Sequence, residues 1–329
     1  FQMRSNGTRP WCAVVVEPGR VALARFDATP GGRPRLALFD ERPVAGPVAD
    51  ALTALRRDHR LDRTRCAALL NAGEYQCSVV EAPAVPESEL KTAVRWRLKD
   101  LIDYPPEDAG VDVLPLPNGG AAGRPATLMA VSARRTRLAE CIREFDAAKL
   151  GIAAIDIQET AQRNISALLE EGERALAVLA FTDTGGMLTV TTGGELHFAR
   201  TIDLGLGQLT GPDRTVHFDR VILEVQRSLD HFDRQFGGLP LSRLVLAPFR
   251  DVEALQTMLA ENLYVPVAVA DLGVALDLSA FPALAAEDDK AVARDAWFYA
   301  LPLIEMATTR ARGLAAGGKI NSFAPVRGL

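Results

Sequence analysis

The fold is decided by the stretch DRVILEVQRSLDHFDRQFGGLPLSRLVL, which runs from Asp219 to Leu246. Its apolar residues recur every three or four positions, and this spacing predicts an amphipathic helix. Gly237-Gly238 predicts a left-handed cap at the end of that helix, and Leu244-Val245-Leu246 predicts a short buried strand after it. The stretch therefore indicates a helix followed by a strand in an α/β domain. The apolar residues of the helix are Val221, Val225, Leu229, Phe232 and Phe236.

The length and composition indicate a globular protein with more than one core. A chain of 329 residues is too long for a single small core and predicts two lobes or more. Its 48% hydrophobic and 24% charged residues are ordinary for a globular protein. The net charge is −5 with both signs interspersed, which argues against a nucleic-acid-binding protein. The densest basic run, Arg56 to Arg65, is interpreted as a solvated helix end and loop.

The cysteines and histidines show no metal-binding spacing. The four cysteines lie far apart without a C-x-x-C pair, and the four histidines are equally scattered. Free thiols in apolar runs predict a reducing compartment, so we expect a cytoplasmic protein with no disulfide and no metal site. No run approaches the roughly 20 apolar residues that a membrane span needs. The cysteines are Cys12, Cys66, Cys77 and Cys141.

The first part of the chain is predicted to contain β-hairpins and one helix. Alternating apolar residues predict two strands joined by a turn at Pro18-Gly19, followed by a third strand. A short helix and two further strands complete this part. The predicted strands are Cys12 to Gly19, Arg20 to Asp27, Arg35 to Glu41, 66–71 and 76–83, and the helix is Val48 to Arg57.

A change in pattern at residues 83–86 marks a second unit. Leu90, Val94, Leu98 and Leu101 share one face of a predicted helix that begins after Pro86. A strand, a glycine-rich loop, a strand, a helix and a strand follow, which is a compact α/β unit. After the charged segment at residues 170–174, hairpin strands with Gly-Gly turns appear again. The two halves thus repeat an organisation rather than a sequence.

Two segments resemble the PilM family, the actin-like ATPase-fold proteins of type IV pilus assembly. EVQRSLDHF (Glu224 to Phe232) resembles the ExQRSLDxF helix of that family. ELKTAVRWRLKDLIDYPPEDAGVD (Glu89 to Asp112) resembles its ELxxAIRWE-type helix and the following proline turn. Within the family, the chain is most similar to the MshI group of mannose-sensitive (MSHA) pilus biogenesis. The resemblance covers Trp11 to about Gly313.

The resemblance implies an α/β protein with the actin-like ATPase fold of the FtsA/PilM type. Two lobes would surround a cleft, and an α/β subdomain would be inserted in the first lobe. The predicted bounds are 10–85 and 151–173 for the first lobe, 86–150 for the inserted subdomain, 174–316 for the second lobe and 317–329 for a PilN-like tail.

The resemblance also implies two glycine-rich turns that hold phosphates, and the first is degraded here. A GIDIGxxxVK-type loop is replaced by a turn with a single Gly19 behind Pro18, and the proline lacks an amide donor. The second turn keeps an aspartate, a hydroxyl and two glycines; either its Thr184 and Gly185 touch a phosphate, or it is a plain Gly-Gly hairpin turn. Its predicted nucleotide-binding residues are Asp183, Thr184, Gly185 and Gly186.

The segments that would contact the adenosine of a nucleotide are only partly kept in this sequence. The family's E-x-x-R-S helix residues would be Glu224, Arg227 and Ser228 here. The LSGGG-type turn is replaced by Ala247-Pro248-Phe249, whose side chains are predicted to fill space that a nucleotide needs. We therefore expect no catalytic residues, no enzyme activity, and either no cofactor or weak binding of ATP with Mg²⁺.

By resemblance, the function is that of a scaffold peripheral to the inner membrane. Its partners would be the cytoplasmic tail of a PilN-like membrane protein and the assembly motor ATPase. The predicted partner-binding residues are Trp96, Leu98, Tyr104 and Pro105 in the subdomain, and Ile320, Asn321 and Phe323 in a tail similar to an I-N-L-L-P-x-R peptide. Two alternatives remain: an active ATPase with rebuilt loops, and the cytoplasmic domain of a GspL-type secretion protein, which shares this fold.

Overall fold

The computed structural model describes residues 11–27, 32–117 and 125–282. Two five-stranded sheets and one three-stranded sheet carry the helices on their faces. The strands are β1 (Trp11–Glu17), β2 (Arg20–Asp27), β3 (Arg35–Pro43), β4 (Arg65–Leu69), β5 (Tyr75–Glu81), β6 (Ala109–Leu116), β7 (Thr127–Arg134), β8 (Gly151–Asp156), β9 (Ala175–Phe181), β10 (Gly186–Thr192), β11 (Glu195–Ile202), β12 (Leu241–Leu246) and β13 (Val267–Val269). The helices are α1 (Val48–His59), α2 (Glu87–Arg97), α3 (Arg135–Ala147), α4 (Gln158–Leu169), α5 (Leu206–Leu209), α6 (Arg214–Gln235), α7 (Val252–Asn262) and α8 (Leu272–Ala275), with a 3₁₀ turn at Pro106–Asp108.

The two large sheets repeat one strand order. The first sheet runs β3-β2-β1-β4-β8 and the second runs β11-β10-β9-β12-β13. In each, the first three strands are antiparallel, the fourth pairs in parallel with the central strand, and the fifth pairs in parallel with the fourth. A helix precedes the fourth strand in both halves, since parallel strands need a crossover connection. This repeat agrees with the duplication that the sequence predicts.

The stretch that decides the fold forms α6 and β12 as expected. Five apolar positions of the predicted stripe are buried, and four of them lie within α6: Val221, Val225, Leu229 and Phe232. They cover the second sheet together with α7. The end of the helix differs from the prediction, because Phe236 is its C-cap at φ −124° and neither Gly237 nor Gly238 has a positive φ.

Helix α4 connects the two lobes through their cores. Almost all of its residues are buried, including polar ones. Its apolar side chains Ala161 and Ile165 share a cluster with Ala13 of the first sheet and Val178 of the second. The side-chain amide of Gln162 donates to the backbone carbonyl oxygens of Val178 at 2.9 Å and Met187 at 3.2 Å. These contacts fix the first lobe against the second sheet.

The three-stranded sheet has the order β5-β7-β6 and packs against α2. Its core contains Val94, Leu98 and Tyr104. The strand at residues 76–83, assigned from sequence to the first lobe, is instead the edge strand β5 of this small sheet. The reason is its alternating exposure, which suits an edge strand that pairs with β7 and does not suit the buried large sheet.

Free thiols were expected, and all four cysteines are free. Cys12, Cys66 and Cys141 are buried, whereas Cys77 is exposed. None of the helices in the described ranges is long and apolar enough to cross a membrane.

Candidate functional site between the lobes

A pocket of about 370 Å³ lies between the small sheet and the second lobe. One wall consists of the turn after β4 and the start of β5. The other wall is the hairpin turn between β9 and β10. The N-terminus of α4 supplies part of the lining, with Gln158 and Glu159. Residues from all three elements line the pocket, among them Tyr75, Cys77, Thr182, Gly185, Gly186 and Thr201.

The turn between β9 and β10 is closed by its own threonine. The backbone N–H groups of Thr184 and Gly185 point to Oγ1 of Thr182, at N···O distances of 3.3 and 3.1 Å. The N–H of Thr182 donates to the carbonyl oxygen of Gly185 at 2.7 Å. The amides that a phosphate would use are therefore already bonded within the turn, and a phosphate would have to displace the hydroxyl.

Close packing beneath this turn explains its glycines. A Cβ atom on Gly205 would lie 2.1 Å from the carbonyl oxygen of Asp183, so only glycine fits there. A Cβ on Gly186 would lie 2.5 Å from the ring of Phe181. Gly185 and Gly186 are buried, whereas Asp183 and Thr184 are exposed. The two predicted glycines line the pocket, but their small size serves the packing of the hairpin.

The turn between β1 and β2 is closed by ion pairs. Nε of Arg20 lies 2.5 Å from Oε2 of Glu17, and Nη1 of Arg20 lies 3.2 Å from Oε1 of Glu41. Gly19 has a φ of +81°, the left-handed conformation that favours glycine in a tight turn. None of these turn residues is among those that line the pocket. The loss of a phosphate contact from this turn stays a prediction.

Sequence reasoning missed the buried carboxyl at the bottom of the pocket. Glu159 is 4% exposed, and its Oε2 accepts a hydrogen bond from the hydroxyl of Tyr75 at 2.7 Å. The same hydroxyl lies 3.2 Å from the backbone nitrogen of Gln158, which donates to it. Burial raises the pKa of Glu159 above its usual range. No local motif marks this pair, since 84 positions separate the two residues along the chain.

The charge of the pocket does not suit a triphosphate. Its lining contains no lysine or arginine, and Glu159 is its one acidic residue. Phosphate sites normally place arginine, lysine or free amides against the oxygens. Within the described ranges, no group of three histidine, cysteine, aspartate or glutamate side chains could hold a metal ion.

The predicted adenosine residues lie outside this pocket. Glu224 pairs with Arg200 at 2.8 Å and with Arg227 at 3.2 Å on the exposed side of α6. Ser228 corrects the prediction, because it is fully buried and its hydroxyl donates to the carbonyl oxygen of Glu224 at 2.6 Å. Contacts of Glu224 and Arg227 with a nucleotide stay a prediction.

Phe249 also differs from the expectation. Its side chain does not enter the pocket but is buried in the second lobe, where its ring meets that of Phe181 edge-on at 6.0 Å. Phe249 is therefore part of the core of the second lobe, and whether this turn fills space that a nucleotide needs stays a prediction.

The predicted partner-binding residues divide into exposed and buried ones. Trp96 is 55% exposed, and Pro105 is also exposed. Leu98 is fully buried in the core of the small sheet, so its assignment to a groove is wrong. Tyr104 is 8% exposed and lies under the guanidinium of Arg134. The tail residues Ile320, Asn321 and Phe323 lie outside the described residues.

Solved structures identify the architecture. A chain of a PilM–PilN type IV pilus biogenesis complex matches with a TM-score of 0.68 and 19% identity, over 91% of this chain and 100% of that one. A Bacteroides thetaiotaomicron protein with an actin-like ATPase fold and unknown function matches with a TM-score of 0.50 and 7% identity, over 87% and 96% of the two chains.

This chain has an actin-like ATPase fold of the PilM type. The cytoplasmic domain of EpsL, an inner membrane component of the type II secretion system of Vibrio cholerae, is a more distant match. Its TM-score is 0.46 with 17% identity, over 72% of this chain and 81% of that one. No protein-family model matches the chain, and no curated protein matches it by sequence.

Proposed function

We propose that this chain is a cytoplasmic scaffold of a type IV pilus inner-membrane platform, of the MSHA type. It binds the cytoplasmic tail of a PilN-like membrane protein, contacts the assembly motor ATPase, and is peripheral to the inner membrane through these partners. The observation that carries the proposal is the match over the whole length of a chain from a PilM–PilN type IV pilus biogenesis complex. The MSHA assignment rests on the sequence resemblance alone.

The pocket geometry supports a scaffold rather than an enzyme. The second turn is closed by Thr182, the first is closed by the Glu17–Arg20 pair, and the pocket lining contains no lysine or arginine. We therefore propose a degenerate nucleotide-binding protein without hydrolysis. Weak binding of ATP with Mg²⁺ is kept as a second candidate, because Gly185 and Gly186 still line the pocket.

Trp96 is the proposed anchor for the partner tail. A tryptophan that is 55% exposed on α2 is unusual on a surface with no bound partner, and aromatic side chains dominate the binding energy of many interfaces. Pro105 follows on the exposed turn after this helix. An extended tail with apolar side chains is a suitable occupant for such a surface.

The test is a calorimetric titration of the full chain with a peptide of the I-N-L-L-P-x-R type. We expect Trp96→Ala to weaken binding by about thirtyfold or more, since an aromatic anchor that is buried in a complex contributes at least about 2 kcal/mol. Val216→Ala is the matched control, because Val216 is 63% exposed but lies on α6 in the second lobe. Equal affinities of the two variants, or no binding by the wild type, would contradict the proposal.

The C-terminal segment is proposed to compete for the same surface. Lys319 to Leu329 resembles the partner peptide, so a copy of it on the same or a neighbouring molecule would reduce the measured affinity. Removing these residues should therefore strengthen peptide binding in the same titration. Unchanged affinity after the deletion would refute this competition while leaving the tail-binding role intact.

A further inference from the structure

A second pocket, of about 270 Å³, lies beside the first and contains two arginines. We refer to it as the arginine pocket; its side walls are Glu74, Asp103, Tyr104, Arg134 and Arg137. It shares Gly73, Tyr75 and Gln76 with the pocket between the lobes, so the two are continuous along the start of β5.

Both guanidinium groups are held in place by contacts that leave most of their N–H groups unused. Cζ of Arg134 lies 4.3 Å from the ring centroid of Tyr104, a cation–π contact that orients the planar group. Nε of Arg137 donates to Oε1 of Glu74 at 2.8 Å. Among the described residues, the Nη atoms of Arg137 have no hydrogen-bond acceptor. A planar arginine fork with free N–H groups matches a carboxylate.

In the described part of the chain, Asp103 is the counter-ion of Arg134. Its Oδ2 lies 3.4 Å from Nη2 of Arg134, and the two side chains are 70% and 49% exposed. Exposed pairs of this kind contribute little to stability. A ligand carboxylate can therefore replace Asp103 at small cost, and Asp103 is positioned as its competitor.

The adjoining edge of β5 is suited to a peptide backbone. β5 is an edge strand of the small sheet. The N–H of Ala82 donates to the carbonyl oxygen of Ala126, so the even-numbered residues of β5 direct their backbone groups toward β7. Backbone groups alternate in direction along a strand, so the N–H and C=O groups of Cys77 and Val79 point to the opposite, outer side. Cys77 and Val79 are both exposed. Such an edge pairs readily with an added strand.

We propose that the arginine pocket binds the carboxylate of an acidic side chain in an extended peptide whose backbone pairs with the outer edge of β5. Arg134 and Arg137 donate hydrogen bonds to the carboxylate, and Cys77 and Val79 exchange backbone hydrogen bonds with the flanking residues. This site differs from the Trp96 surface, and it requires a partner segment with an acidic residue.

The test uses the full ¹⁵N-labelled chain and two blocked pentapeptides, which differ only in a central aspartate or asparagine. We expect the aspartate peptide to shift the amide signals of Gly73, Cys77 and Arg137, and the asparagine peptide to shift them far less. Arg134→Gln should weaken the binding of the aspartate peptide by about tenfold, which is the effect of losing a charged hydrogen bond. Asp103→Asn should strengthen it. Arg143→Gln, an exposed charge change elsewhere on α3, should leave it unchanged.

Inorganic phosphate is titrated in parallel. Signal shifts with phosphate but not with the aspartate peptide would overturn the peptide assignment. Equal binding of both peptides, or unchanged binding by the Arg134→Gln variant, would overturn the pocket itself. Because the probes contain no PilN-like sequence, these outcomes are independent of whether the Trp96 surface binds a tail.

Discussion

The hydroxyl of Thr182 is the residue-scale reason for the closed second turn. It accepts from the amides of Thr184 and Gly185, so Thr182→Val leaves two N–H groups without their partner at similar side-chain volume. We expect a loss of about 1–3 kcal/mol in the free energy of unfolding. Urea denaturation measures it. The control is Thr201→Val, an exposed change on the wall of the same pocket, which should alter the free energy of unfolding by no more than about 0.5 kcal/mol. A change that small for Thr182→Val would contradict the role of its hydroxyl.

Glu159 gives a pH-dependent prediction. Its folded-state pKa is raised above the ordinary value of 4.5 by burial, so between these two values the folded protein holds a proton that the unfolded chain releases. The wild type therefore loses stability as the pH rises from about 4.5 through the folded-state pKa. Glu159→Gln lacks this titration and still accepts from Tyr75.

As the pH rises from about 4.5 through the folded-state pKa of Glu159, the wild type should lose stability that the Glu159→Gln variant keeps. The free energy of unfolding of the variant should therefore increase relative to that of the wild type. Urea denaturation of both proteins in a pH series that begins below 4.5 measures it. Parallel pH profiles would show that the carboxyl of Glu159 titrates as it does in the unfolded chain.

At the scale of elements, the short helix α5 is placed by one glycine. Gly205 lies against the carbonyl oxygen of Asp183, so Gly205→Ala forces the hairpin turn and α5 apart. We expect a loss of about 2 kcal/mol or more, because overpacking against backbone cannot relax through a side chain. Gly207→Ala, two residues on, has no atom within 4 Å of its new Cβ. It should be neutral or slightly stabilising. Differential scanning calorimetry compares the two variants, and equal melting temperatures would contradict this packing.

Most elements were predictable from local pattern, and the errors have physical causes. The stripe of α6 and the hairpins β1–β2 and β9–β10 follow from periodicity, which is a local property. The assignment of β5 failed because strand pairing is not local: its partner, β7, begins 46 positions after the end of β5, at Thr127 after Glu81. The left-handed cap at Gly237 failed because the helix ends one residue earlier at Phe236, whose backbone carries the turn.

At the scale of the whole molecule, the duplicated sheets and the cleft were predicted, whereas the chemistry of the cleft was only partly so. The predicted loss of the first phosphate turn rests on Pro18 and on the family resemblance, and it stays a prediction. The Tyr75–Glu159 pair and the arginine pocket depend on how the small sheet packs against α4 and α3, and no spacing in the sequence encodes that packing. Leu98 and Ser228 were mistaken for site residues because burial, not residue type, decides their role.

We propose that this chain with an actin-like fold is a scaffold whose cleft does not process nucleotide. The most direct measurement is a calorimetric titration of the full chain with ATP and Mg²⁺, combined with a phosphate-release assay. We predict no phosphate release and at most weak heat, because Thr182 closes the second turn and the pocket lining contains no lysine or arginine. Micromolar binding of ATP accompanied by steady release of phosphate would contradict the scaffold proposal and favour an active ATPase.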